Sequence, residues 1–130
     1  MRVTIGILVI GVSVLVSEAR LAGHHAFSSE YDENKVVTLK GTVTKIEWMN
    51  PHAKFFIDVV NPDKSVTNWS FELASPNSLT REGWDRHTLT VGDAITATGF
   101  AAKSGKNMAS TRSVATADGK ALFGGTQGIQ

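Results

Sequence analysis

Val36-Val37-Thr38-Leu39-Lys40-Gly41-Thr42-Val43-Thr44-Lys45-Ile46 is the stretch that decides the fold. Val37, Leu39, Gly41, Val43 and Lys45 share one parity, and Val36, Thr38, Lys40, Thr42, Thr44 and Ile46 the other. A period of two, rich in β-branched side chains, reads as one long strand. Gly41 in its middle is a natural place for a bulge or sharp bend, which a long strand in a small barrel needs in order to serve two sheets.

Downstream, a second strand is predicted over Ala53 to Val60, and Asn61-Pro62-Asp63-Lys64 supplies turn chemistry before a third at Ser65 to Leu73. The period then changes. Ser75-Pro76-Asn77-Ser78-Leu79-Thr80-Arg81-Glu82-Gly83-Trp84 offers an N-cap serine, a proline at the first helical position and a glycine near the end, so a short helix is predicted. After the turn at Gly92-Asp93, Ala94 to Phe100 reads as a fourth strand with Ile95, Ala97 and Gly99 on one face. Asn107 to Ala115 reads as a fifth, and Ala117-Asp118-Gly119-Lys120 is a turn before a short Ala121-Leu122-Phe123 segment. Mainly β, with five strands and one short helix between the third and fourth, is the order of an OB-like Greek-key barrel. A β-sandwich is the alternative. Residues 24–124 are assigned to this domain and 125–130 to a glycine-rich flexible tail.

Upstream, Met1-Arg2 is a basic start, Ile5 to Val16 is apolar, and Ser17 to Gly23 is more polar with small residues, which is the pattern of a secretory signal peptide over residues 1–23. Twelve apolar residues reach only roughly 18 Å, short of the roughly 30 Å hydrocarbon core, so no membrane span is expected once the signal is removed. Cleavage after Ala19 fits the small-residue rule best; cleavage after Ala22 or Gly23 would leave Gly23 or His24 as the new amino terminus. The expected location is the periplasm. Removing residues 1–23 takes two of the 13 basic and one of the 12 acidic residues, leaving 11 of each. A near-neutral chain without a basic stripe is not built to grip phosphate backbones, so nucleic acid is not an expected partner. Cysteine is absent, which removes disulfides and thiolate metal sites and leaves the hydrophobic core to hold the domain together.

His24-His25-Ala26-Phe27, the run Leu39-Lys40-Gly41-Thr42-Val43-Thr44-Lys45-Ile46-Glu47-Trp48, Asn50-Pro51-His52, Trp69, Ser75-Pro76-Asn77, Gly83-Trp84, Gly92-Asp93 and Ala117-Asp118-Gly119 together resemble a family of small exported bacterial proteins of unknown function. The likeness covers essentially the whole mature chain and implies an exported, periplasmic single β-domain. It carries over no activity. The chain departs from the family at the export signal, where the family places alanine directly before the histidine pair and this chain has Ala22-Gly23.

Histidine is the commonest metal-binding side chain, and imidazole suits copper, zinc and nickel. Adjacent histidines on an extended segment point to opposite sides, so His24 and His25 need a third ligand from elsewhere. His52 is the candidate, because Pro51 restricts Asn50 and the loop between the first two strands of an OB-fold binds ligands. The expected site is an open copper or zinc centre of His52 with His24 or His25, with a possible oxygen from Glu47, Glu30 or Asp32. Cleavage before His24 or Gly23 would add an amine suited to Cu(II). Against this stands a plainer role, in which His24 and His25 are solvated at a frayed terminus and His52 holds its loop. His87, beside Asp85 and Arg86, is expected at the surface.

Trp48, Phe55, Trp69 and Phe71 offer a stacking face for a flat ligand, with Trp48, Asn50 and Trp69 as ligand-binding candidates, although core packing is the commoner use of such side chains. No nucleophile beside a base and no acid/base spacing is legible, so a non-catalytic module is expected. The alternative is an accessory or structural protein that binds a small organic molecule or an exported protein partner through the loop around Asn50-Pro51-His52.

Overall fold

A computed structural model describes residues 27–125. By its contacts the chain divides into two compact units, one ending at Glu30 and the other beginning at Tyr31. Residues 27–30, which are helical, belong to the first; the fold below is that of the second. The expected signal peptide, its cleavage positions, His24, His25 and residues 126–130 lie outside the described residues.

The second unit runs β1 (Tyr31–Glu47), β2 (Lys54–Val60), β3 (Val66–Glu72), α1 (Pro76–Arg81), β4 (Ala94–Ala102), β5 (Met108–Thr116) and β6 (Ala121–Phe123). The fold is mainly β, with the short helix between β3 and β4 as predicted. Among the described residues it has six strands where five were expected: Ala121-Leu122-Phe123 forms β6 by pairing with Ser113 to Ala115. Three residues show no period of their own, so only the pairing reveals this strand. The sheet order is β3-β2-β1-β4-β5-β6, antiparallel throughout. A parallel contact of Ser70–Glu72 with Met108–Ser110 brings β3 to β5 and makes a near-ring of β1, β2, β3, β5 and β4.

β1 begins earlier than its alternation. Between the pairs Tyr31↔Ala102 and Val36↔Phe100 the chain takes five steps on β1 against two on β4, so the register breaks there. From Val36 to Thr42 β1 pairs with β4, and from Thr42 to Glu47 with β2, with a second break between Val43 and Lys45. Of the bulge or sharp bend expected at Gly41, the bulge does not fall there. Gly41 sits in regular pairing with Ile95, and glycine is required because a Cβ there would come within 2.6 Å of the Asp58 backbone oxygen and 3.1 Å of Ile57.

The core gathers Val43, Phe55, Ile57, Phe71, Leu73, Leu79, Trp84 and Val114. Phe55 and Phe71 face each other across β2 and β3, stacked with centroids 5.2 Å apart. Each such side chain contributes about 1.5–3 kcal/mol on full burial. α1 forms because the Ser75 Oγ accepts the Ser78 amide at the N-cap and Pro76 supplies a pre-set φ. It turns away at Gly83, whose φ of 89° suits glycine alone. Leu79 and Trp84 bury the helix against the sheet, and the Trp84 indole N–H donates to the Phe123 carbonyl at 2.9 Å. The chain after β6 is fastened as well: the buried Gly124 accepts from the Ala74 amide at 3.1 Å.

Two turns are held by aspartates. The Ser65 hydroxyl, and then the Ser65 amide, keep the Asp63 carboxyl below the usual aspartate range; the Thr116 hydroxyl and then the Lys120 amide do the same for Asp118. A depressed carboxylate stabilises the fold above its unfolded pKa, and that help is lost as pH falls through the folded value. Both groups are solvated, so the effect is small. Among the described residues no helix is long and apolar enough to cross a membrane.

Two substitutions test this packing by urea unfolding. Gly41→Ala is expected to lower stability by about 1–3 kcal/mol, because the backbone of β2 must move to admit the methyl. Thr111 is buried on β5 and its Oγ1 has no hydrogen-bond partner among the described residues. Thr111→Val is therefore expected to raise stability by about 1 kcal/mol, since it removes an unsatisfied hydroxyl at constant shape.

Candidate functional site

His52 lies in the link between β1 and β2, just after a cis Asn50-Pro51 peptide. The link is tied to the end of β3 by the Ala53 amide donating to the Ala74 carbonyl at 3.1 Å and the Leu73 amide donating to Ala53 at 2.8 Å. Lys54, two residues on from His52, pairs in register with Glu72, the last residue of β3. That alternation puts His52 and Glu72 on one face.

There the His52 Nδ1 stands 2.5 Å from Glu72 Oε1, and the Tyr31 hydroxyl donates to Glu72 Oε2 at 2.9 Å. Tyr31 is 2% exposed, whereas the side chains of Glu72 and His52 are 14% and 42% exposed. The three come from the start of β1, the approach to β2 and the end of β3. A carboxylate this far from water requires donors, and each of its oxygens has one.

The chemistry follows from the pairing. An ionised carboxylate only accepts, so beside it Nδ1 carries the hydrogen, and an imidazole in that tautomer presents its lone pair at Nε2. The ring is then fixed in tautomer and orientation. This is the arrangement in which a histidine ligates a metal ion, and it is also the arrangement of a histidine poised to move a proton.

The other predicted residues fall as follows. Glu47 binds Lys45 Nζ through Oε1 at 2.6 Å, so its carboxylate has a cation already. Asp32 accepts the Asn34 amide at 2.9 Å. Asn50 is exposed. Trp48 and Trp69 are partly buried and pack against the core, Trp69 with its ring 6.5 Å from Phe71. Phe55 and Phe71 are core residues. His87 is exposed, with its amide donating to Asp85 Oδ1 at 2.7 Å. Among the described residues no group of three or more His, Asp or Glu side chains is placed to hold a metal ion. An open cleft of about 590 Å³ near His87 is lined also by Asp85, Asp93 and Asp118, but these carboxylates cap their own turns.

Glu72 and Tyr31 were missed by sequence reasoning. Nothing local marks either of them. Their partners lie 20 and 41 residues away in the chain, so only strand pairing brings them together.

No curated protein and no solved structure matches the chain. A family model matches residues 12–111, which span β1 to β4 and the first residues of β5, with Tyr31, His52 and Glu72 among them. The chain therefore belongs to that family, described as a family of unknown function (DUF6152).

Proposed function

We propose that this chain is an exported, periplasmic, non-catalytic binding module of OB-like barrel form that takes a copper or zinc ion on Nε2 of His52. His24 and His25 are the sequence's candidates for the remaining nitrogen ligands. The observation that carries this reading is the Glu72 carboxylate on Nδ1 of His52, because metal-ligating histidines nearly always give their other nitrogen to such a partner. The apolar, basic-started amino terminus supports export. The ring order β1, β2, β3, β5, β4, with α1 between β3 and β4, supports the OB-like form, in which the loop between the first two strands binds ligands. The half-exposed His52 sits in that loop.

A second reading draws on the same loop. Met49 is 55% exposed and is followed by exposed Asn50 and Pro51, an apolar and polar rim suited to an exported protein partner or a small organic molecule. Under it, metal affinity is absent in the wild type.

Calorimetric titration of the mature protein with Cu(II) and Zn(II) separates the two. One ion per chain is expected, with His52→Ala abolishing the affinity and Glu72→Gln weakening it about 10–100-fold while circular dichroism shows the sheet intact. Binding that survives His52→Ala undiminished, or a wild type that takes neither ion, contradicts the metal reading.

A further inference from the structure

β3 is covered along one edge and only partly along the other. All 7 of its residues pair with β2, from Val66 opposite Val60 to Glu72 opposite Lys54, but on the far side β5 takes Ser70 to Glu72 alone. In an antiparallel ladder successive residues turn their backbone groups alternately toward the partner strand and away from it. The Asn61 amide bonds to the Ser65 carbonyl at 2.8 Å, so the alternation turns Thr67 and Trp69 toward β2, and Val66, Asn68 and Ser70 outward. The Ser70 amide agrees, since it donates away from β2 to the Asn107 carbonyl at 3.1 Å. Among the described residues no hydrogen bond reaches the outward amides and carbonyls of Val66 and Asn68.

Such a row binds extended backbone, and folded proteins guard it with lysine, proline or a bulge. The Val66-Thr67-Asn68 stretch carries no lysine or proline, and its pairing with β2 is regular. Its outer face is apolar at the tip: Val66 is 58% exposed and Val60, opposite it on β2, 70%. The other end of the sheet differs. β6 is 3 residues long, and its Phe123 carbonyl accepts from the Trp84 indole.

The stretch also matches itself. Turned about a two-fold axis at Thr67, a second β3 runs antiparallel to the first and sets Val66 of each copy opposite Asn68 of the other. Both residues face outward, so this is a hydrogen-bonded position for each of them, and every unpaired group of the edge finds a partner. The free edge is no longer than this match, because the chain turns at Asn61 to Ser65 on one side and meets β5 at Ser70 on the other. A strand already ordered by its own β2 loses less freedom on pairing than a loose peptide does.

We propose that the free half of β3 is a homodimer interface, joining two copies of the chain edge to edge about Thr67 into one continuous sheet. His52 and Glu72 lie at the opposite end of β2 and β3, so the contact leaves them open and the inference stands apart from the His52 reading.

Sedimentation velocity of the mature protein at rising concentration, combined with amide hydrogen exchange, tests the interface. A monomer–dimer equilibrium is expected, in which dimerisation slows exchange of the Val66 and Asn68 amides about tenfold or more and leaves the Thr67 amide, turned toward Val59 throughout, unchanged. The double variants V66K/N68K and V66E/N68E each set like charges directly opposite one another, so each is expected to lose the dimer and an equimolar mixture of the two to regain it, with circular dichroism showing the sheet intact in both. A wild type that stays monomeric overturns the interface and leaves the edge to an extended segment of another protein. A dimer whose Val66 and Asn68 amides exchange as in the monomer, or one that both double variants retain, overturns it as well.

Discussion

One carboxylate joins the separate parts of this domain. Glu72 ends β3 at the seam where β3 meets β5, opposite Ser110, and its side chain is largely withdrawn from water. Its two oxygens are committed to Tyr31, the first residue of β1, and to His52, on the way into β2. A buried anion tolerates that position only with strong donors, and charge-assisted hydrogen bonds are the stronger kind. The same contacts that satisfy Glu72 therefore hold the start of β1 and the β1–β2 link against the end of β3. The near-ring is drawn together at its narrowest pairing by a polar clasp as well as by Phe55 and Phe71 beneath it.

The clasp also explains why His52 differs from His87. Both are solvent-accessible to some degree, but His87 sits in a turn that uses only its backbone amide. His52 has one ring nitrogen fixed inside the protein and the other left outward. A surface imidazole without such a partner samples both tautomers and several rotamers, and any ligand must order it on binding. Here the protein has done that ordering beforehand. That preorganised nitrogen marks this end of the sheet from the rest of the surface.

Much of the fold was legible because alternation and caps are local. Val36 to Ile46 announced β1, Ser75-Pro76 with Gly83 announced α1, and Ile95, Ala97 and Gly99 did face inward together. What escaped was set by pairing at a distance. β6 is too short for a period, the Asp32 to Lys35 stretch of β1 is charged and breaks register, and Gly41 is demanded by the close approach of Asp58. The same division holds for the site. His52 was legible as a loop histidine after a proline, whereas Glu72 and Tyr31 meet it only through strand pairing. Glu47 was legible as an acid, but Lys45 on the same face of its own strand claims it.

The central claim is that Glu72 fixes His52 with its outer nitrogen free for an ion. Nitrogen NMR of the His52 imidazole in ¹⁵N-labelled mature protein, recorded before and after one equivalent of Zn(II), tests it most directly. The account predicts a neutral ring protonated at Nδ1, with the Nε2 resonance alone moving to a metal-bound position. A ring protonated at Nε2, or an Nε2 resonance that Zn(II) leaves in place, would contradict it.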